Sequence, residues 1–128
     1  MPLIEHSEIP MPAAVDNRRE REIVSQKQGA VSLTIKEIEL HPGYEGRLHT
    51  HPTDIAIMVT AGAVQLVLGD EVSTIRAGTT MLAPPGVPHK LVNQLWIPVR
   101  MLVTYPAASR FWLRATTRWL RLGGLGAD

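Results

Sequence analysis

The 128-residue sequence has no cysteine, few aromatic residues and a formal net charge of only +1. Without cysteine there is no disulfide, no thiolate metal ligand and no cysteine nucleophile, so histidine, aspartate and glutamate are the strong ligand types that remain. The balanced charge argues against a nucleic-acid-binding protein that works through a broad basic face. We therefore expect a small-molecule partner and no nucleic acid.

Long apolar runs are also missing. The longest uncharged stretch, residues 55–69, is too short for a membrane span and is interrupted by Thr60, Gly62 and Gln65. At the N-terminus, acidic residues and prolines stand where a signal peptide would have a basic start and an apolar run. The sequence therefore predicts a cytoplasmic protein with no membrane partner, and its length suits a single domain with one core.

Short β-rich runs separated by turn residues make up most of the chain. They lie at residues 31–40, 55–60, 64–68, 72–75, 81–83, 89–93 and 99–105. Many short strands at regular spacing predict an all-β barrel or sandwich. In the first run the alternation of apolar residues changes phase between Ile35 and Ile38, which predicts a bulge or a strand that passes from one sheet to another.

The two ends depart from this pattern and divide the chain into three parts. Residues 1–17 contain prolines without periodicity and are predicted to form an extended arm, followed by the barrel at 18–108. Residues 109–128 are predicted to form a short C-terminal α-helix and a tail, with an apolar stripe and an arginine stripe on the helix. Capping the barrel or a partner subunit is favoured for this helix over lying on an anionic membrane.

Two histidines separated by one residue are the first candidates for chemistry. In an extended chain His49 and His51 point to the same face, so both imidazoles could reach one ion. Alone they are a weak signal, because paired strand histidines also serve packing and hydrogen bonding. His89 follows a Pro-Pro-Gly turn about two hairpins later and could return to the same wall. Three imidazoles on a rigid sheet would leave open the coordination positions that a catalytic metal needs.

The order of these residues resembles the two motifs of the cupin family. The first is Gly, five residues, His-x-His, three or four residues, Glu, six residues and Gly, and it is matched by Gly43, His49, His51 and Gly62. The second is Gly, five residues, Pro-x-Gly, two residues, His, three residues and Asn, and it is matched by Gly78, Pro84, Gly86, His89 and Asn93. The resemblance implies a jelly-roll barrel, also called a double-stranded β-helix, with a divalent metal held by His49, His51 and His89.

One residue departs from the first motif, because Ile55 stands where the family has glutamate. The exchange removes one ligand and one negative charge, which predicts weaker metal binding and stronger attraction for an anionic substrate. Asp54 should point to the opposite face and so does not substitute, unless a local bulge turns it inward. All-histidine sites in this family imply thiol or diketone dioxygenases that use Fe(II).

Further site residues are predicted around the histidines. Arg47 and Tyr105 are the candidate catalytic residues, with Arg47 placed to clamp a carboxylate or enolate, although a solvated arginine at the rim fits its position equally well. Glu45 on the entrance loop is an outside candidate for an acid or base. The candidates for an apolar pocket, each of which also suits an ordinary core position, are Ile55, Ile57, Met81, Trp96 and Met101.

The sequence thus favours a metal-dependent enzyme acting on a small anionic or enolisable molecule. Dioxygenation with Fe(II) is the first expectation, with Ni, Mn, Zn or Cu as alternatives and with lyase, isomerase or cyclase chemistry close behind. A non-catalytic barrel that binds or senses a small ligand is the alternative. Ala56 and Met58 are apolar on the second face of the Ile55 strand, which favours a sheet-to-sheet homodimer.

Overall fold

A computed structural model describes residues 2–107, which form eight β-strands and two short 3-10 helices. The strands are β1 (Arg18–Val24), β2 (Leu33–Leu40), β3 (Ile55–Ala61), β4 (Ala63–Leu68), β5 (Glu71–Arg76), β6 (Thr80–Ala83), β7 (His89–Val92) and β8 (Val99–Pro106). The 3-10 helices are His6–Glu8 and Gln26–Gln28. Between residues 2 and 107 there is no helix with the length and apolarity needed to cross a membrane. The predicted C-terminal helix lies outside the described residues.

The strands form two antiparallel sheets around one core, as the predicted barrel requires. The larger sheet has the order β1-β2-β8-β3-β6 and the smaller sheet the order β5-β4-β7. Isolated bridges from Glu45 to Val92 and from His49 to His89 add the segment 45–49 to the smaller sheet beside β7. The histidine segment is therefore part of a barrel wall, and its position is fixed by backbone pairing.

Alternation along the strands separates the core from the outer faces. In β3, Ile55, Ile57 and Val59 are at most 2% exposed, whereas Met58 between them is 47% exposed. β8 alternates in the same way, and its pairing with β3 sets Val103 opposite Ile57. Both strands thus point one apolar row into the barrel.

β1 is a strand that the sequence patterns do not predict, because its sequence RREREIV is charged. It pairs with β2, and Arg19 and Arg21 lie opposite Glu39 and Glu37. The pairing with β1 explains the phase change in β2. Glu37 and Glu39 occupy outward positions there because Arg21 and Arg19 of β1 lie beside them. β2 itself stays in one sheet and pairs with β8 without interruption, and the register shift lies in β1 between Glu22 and Val24.

Glu39 is the centre of the charged network on this outer face. Its carboxylate accepts hydrogen bonds from Arg19 at 2.9 Å, from His41 at 2.7 Å and from Arg100 at 2.7 Å, while its side chain is only 7% exposed. Burial alone would raise the pKa of Glu39, but the bonds from Arg100, His41 and Arg19 together lower that pKa to about 2. The ionised carboxylate therefore stabilises the fold.

We expect Glu39→Gln to lower the free energy of unfolding at pH 7 by about 2 kcal/mol, because the partly exposed arginines lose a buried partner. Since the pKa of the folded state lies below the ordinary value of 4.5, the stabilisation is present above that pH and is lost as the pH falls toward about 2. Urea unfolding of wild type and variant across this range measures the effect, with Glu71→Gln on exposed β5 as the control. Equal loss of stability on acidification in wild type and Glu39→Gln would contradict the assignment.

Candidate metal centre

Three histidines converge inside one end of the barrel. His49 lies on the segment bridged to β7, His51 lies in the loop that leads into β3, and His89 is the first residue of β7. The three are 4%, 8% and 0% exposed. One ring nitrogen from each lies within 4.8 Å of the other two, and the ring centroids are 4.4 to 5.1 Å apart. The structure therefore brings together the three predicted metal ligands.

Backbone hydrogen bonds set the positions of these residues. The N–H of His89 donates to the carbonyl of His49 at 2.8 Å, and the N–H of His49 donates to the carbonyl of His89 at 3.1 Å. The N–H of Gly86 donates to the carbonyl of His51 at 2.9 Å, which ties the His51 loop to the turn that precedes His89. Residues far apart in sequence are thus joined by main-chain pairing, so the cluster is built into the fold.

Hydrogen bonds at Nδ1 orient two of the rings. Nδ1 of His49 lies 2.6 Å from the carbonyl oxygen of Arg47, and Nδ1 of His89 lies 3.1 Å from that of Val87. Because a carbonyl oxygen only accepts, each Nδ1 carries a proton, and in the neutral imidazole Nε2 is then the atom that can bind a metal. The Nε2 atoms of all three histidines are buried. Neutral imidazoles held in this way are typical ligands of a transition metal.

The donor set fits a divalent transition metal. Imidazole nitrogens suit Fe, Ni, Cu or Zn, whereas Mg and Ca prefer oxygen ligands. Three protein ligands are also the number that leaves positions open for water or substrate. Within residues 2–107 this is the one cluster of histidine, aspartate and glutamate side chains close enough to hold an ion. His49, His51 and His89 are therefore the residues that would hold the metal.

Ile55, at the glutamate position of the family motif, is a buried core residue. It is 2% exposed, belongs to the core and lies opposite Ala83 of β6. Asp54 is exposed, so its carboxylate does not stand in for the glutamate of the family motif. Glu45 is exposed as well, and its carboxylate lies 3.8 Å from the ammonium of Lys90. Neither acid supplies the missing ligand.

The other predicted pocket and catalytic residues are divided between the core and the surface. The core contains Ile57, Met81 and Met101, and Tyr105 packs against it. Trp96 does not line this pocket, because the turn between β7 and β8 leaves its side chain 96% exposed beside a separate surface cavity of about 440 Å³. The side chain of Arg47 is exposed, as a solvated arginine at the rim would be, and only its carbonyl oxygen contacts the cluster, at Nδ1 of His49.

Lys36 is the residue near this end of the barrel that the sequence patterns miss. It shares the inward face of β2 with the buried residues Ile38 and Leu40, and its side chain is 25% exposed. Its alternation with these apolar residues is the signal that could have found it. A charged residue at such a position reads as solvated unless a partner inside the barrel is known.

The fold and the cluster define the class of protein. Two antiparallel sheets enclose one core, and three histidines from one end of the barrel form a site that fits a metal. The family model of the cupin domain matches residues 36–105, which is more than half of the chain. The chain therefore belongs to the cupin family.

Similar solved structures include proteins with different activities. The polyketide cyclase RemF from Streptomyces resistomycificus has a TM-score of 0.76 and 23% identity, over 84% of this chain and 80% of that chain. KdgF from Halomonas sp. has a TM-score of 0.72 and 16% identity, over 87% of this chain and 98% of that chain. A sugar phosphate isomerase of the cupin superfamily from Silicibacter pomeroyi has a TM-score of 0.70 and 21% identity, over 84% of this chain and 76% of that chain. At these identities the likeness shows the fold, and no curated protein sequence matches significantly.

Proposed function

We propose that this chain is a metal-dependent enzyme acting on a small anionic carbonyl compound that has an acidic C–H bond. The observation that carries the proposal is the cluster of three buried histidines, two of which have their ring protons fixed on Nδ1. His49, His51 and His89 would hold a divalent ion, which would supply Lewis-acid chemistry at a substrate carbonyl. The buried position keeps bulk water from screening that charge.

Ile55 supports the choice of an anionic substrate. With neutral imidazoles and no carboxylate ligand, the full charge of a divalent ion remains to attract an anion. Ile55 and Ile57 would add an apolar wall that suits the carbon skeleton of the substrate, since both are buried in the core and Ile55 stands at the motif position of the fourth ligand. The substrate class is therefore one with an anionic end and an apolar body.

Non-redox chemistry is favoured over the dioxygenation that the sequence alone puts first. Similar structures carry the names of a polyketide cyclase and a sugar phosphate isomerase, and both names describe rearrangements without a net change of oxidation state. Dioxygenation is the second candidate, because three protein ligands leave several coordination positions open.

Deuterium exchange of pyruvate tests this function, because pyruvate is a small anion with acidic C–H bonds next to a carbonyl. We expect protein loaded with one equivalent of Zn(II) to accelerate loss of the pyruvate methyl proton signal in D₂O by about 100-fold over free Zn(II), a typical size for acid–base catalysis. Protein that does not accelerate exchange but consumes O₂ with 2,4-pentanedione when loaded with Fe(II) would support dioxygenation. Protein that binds metal and does neither would support a non-catalytic binding cupin.

We also propose a homodimer formed through the outer face of the larger sheet. Met58 and Leu82 on this face are 47% and 58% exposed, and in register Leu82 lies opposite Ala56 while Met58 lies opposite Leu102. An exposed apolar cluster on a sheet face favours burial against a second copy. Light scattering should give twice the chain mass of 14.1 kDa for wild type and the mass of one chain for Met58→Glu. A monomeric wild type would rule out this dimer.

A further inference from the structure

β8 carries Tyr105 to the end of the barrel that holds the histidines. Tyr105 shares the inward face of β8 with Val103 and packs against the core. Since Val103 lies opposite Ile57 in the antiparallel pair, Tyr105 lies beside Ile55 two residues further along. Ile55 stands at the motif position of the missing fourth ligand, so the register puts Tyr105 on the strand position next to it.

Lys36 reaches Tyr105 from the neighbouring strand. Lys36 lies opposite Val103 in the pairing of β2 with β8, and its ammonium donates a hydrogen bond to the Tyr105 hydroxyl. The ammonium nitrogen is 5.8 Å from the centre of the phenol ring. The same nitrogen also lies 3.5 Å from Oε1 of Glu20, and the other carboxylate oxygen of Glu20, Oε2, lies 2.8 Å from Arg18. Tyr105, Lys36 and Glu20 therefore form a connected polar group of partly buried side chains.

The surroundings keep Lys36 protonated. Burial alone would lower the pKa of Lys36, and Arg18 lowers it further, but Tyr105 and Glu20 outweigh both and raise this pKa above its ordinary value. An ammonium group has protons to donate and no lone pair to accept one. Lys36 is therefore a fixed donor to the Tyr105 oxygen and does not serve as a base at neutral pH.

We propose that Tyr105 exchanges a proton with the substrate at the histidine site and that Lys36 is the residue that positions Tyr105. The inference rests on the proposed function above. Because the phenol oxygen accepts from Lys36, its own O–H bond is directed away from the lysine. As that O–H bond breaks, an O–H bond forms at the substrate carbonyl oxygen, and a water molecule takes the proton released from the substrate C–H bond. The ammonium keeps its protons and stabilises the negative phenol oxygen until that water passes its proton to Tyr105, and the reverse sequence returns a solvent proton to carbon.

The contact itself can be tested in metal-free protein without any substrate. The chain has two tyrosines, so protein labelled with ¹³Cζ-tyrosine gives two signals, and Tyr105→Phe assigns them. We expect Lys36→Met to move the Tyr105 signal and leave the Tyr44 signal in place. Lys36→Arg keeps a charged donor and should return the Tyr105 signal toward its wild-type position. A Tyr105 signal that does not move in Lys36→Met would overturn the contact.

Pyruvate exchange with Zn(II)-loaded protein tests the proton transfer. We expect Tyr105→Phe to lower the maximal exchange rate by about 100-fold and Lys36→Met to lower it by about 10-fold, with little change in the pyruvate concentration that gives half the rate. Tyr44→Phe is the matched control, because it also removes one hydroxyl from a tyrosine packed against the core. Lys36→Arg should recover most of the rate.

The possible results separate the two proposals. If Tyr105→Phe exchanges pyruvate protons as fast as wild type does, the role of Tyr105 is overturned and the proposed function still stands. A Tyr105 signal that responds to Lys36, together with no exchange by metal-loaded wild type, would overturn the proposed function and the proton transfer with it. An equal loss of rate in Tyr44→Phe and Tyr105→Phe would show a general effect on packing and would also overturn the role.

Discussion

Replacing His89 with alanine should strip the chain of its metal. His89 is fully buried, is bonded through its backbone to His49 and provides one of three ligands, so its loss leaves two imidazoles and a cavity. Changes to residues that merely support a ligand cost 10 to 100-fold in affinity, so loss of the ligand should cost more than about 100-fold. Calorimetric titration of metal-free protein with Zn(II) measures the change directly, and elemental analysis of purified protein checks it.

His89→Gln and His6→Ala make this result specific. The glutamine variant keeps most of the buried volume, so weak metal binding in a folded His89→Gln protein cannot be assigned to a cavity. His6→Ala removes an exposed histidine outside the cluster and should bind Zn(II) as wild type does. At a concentration 100 times the dissociation constant, Zn(II) should stabilise wild type by about 2.7 kcal/mol, and this gain should be lost in both His89 variants. Full retention of Zn(II) by a folded His89 variant would contradict the ligand assignment.

Restoring a carboxylate with Ile55→Glu should have two opposite effects. In metal-free protein a glutamate at this buried position should lower the free energy of unfolding by about 2 to 3 kcal/mol, because the side chain loses water without a prepared partner. In metal-loaded protein the same carboxylate becomes a fourth ligand, so affinity for Zn(II) should rise by at least about 10-fold. The added negative charge should also weaken binding of oxalate, a small anion, to the loaded site.

Ile55→Leu is the matched control for this prediction. It keeps the volume and the apolar character of the residue, so stability should change by less than about 1.5 kcal/mol and Zn(II) affinity should stay as in wild type. Thermal unfolding with and without Zn(II), and calorimetry with Zn(II) and then oxalate, give both quantities. Ile55→Glu protein with unchanged Zn(II) affinity would show that residue 55 does not face the ion.

The candidate ligands could be predicted from the sequence because the motif residues each meet a local physical requirement. Gly62 has a φ of +78°, and a Cβ there would lie 2.6 Å from the carbonyl oxygen of Pro98, so only glycine fits. The Asn93 amide donates to the carbonyls of Leu40 and Ile97 and fixes the turn before β8. The spacing of such turn-forming and hydrogen-bonding residues can be recognised in the sequence. The three histidines lie at fixed distances from them along the chain.

The features that the sequence did not predict depend on contacts between distant segments. β1 is a strand because its arginines meet the glutamates of β2, a pairing that its own charged sequence does not reveal. Lys36 can be half-buried because its ammonium is hydrogen-bonded to Tyr105 and forms an ion pair with Glu20. Trp96 was expected in an apolar pocket from its residue type, but the turn that Asn93 holds keeps it outside. Residue type and hydrophobic periodicity do not identify partners that come from distant parts of the chain.

Anomalous scattering from a crystal of the protein as purified tests whether the three histidines hold a metal. We expect one peak from a transition metal inside the barrel, at about 2.1 Å from ring nitrogens of His49, His51 and His89, with no carboxylate bound to it. The absorption edge at which the peak appears identifies the metal. Crystals grown from metal-replete protein that show no anomalous peak between these three side chains would contradict the account.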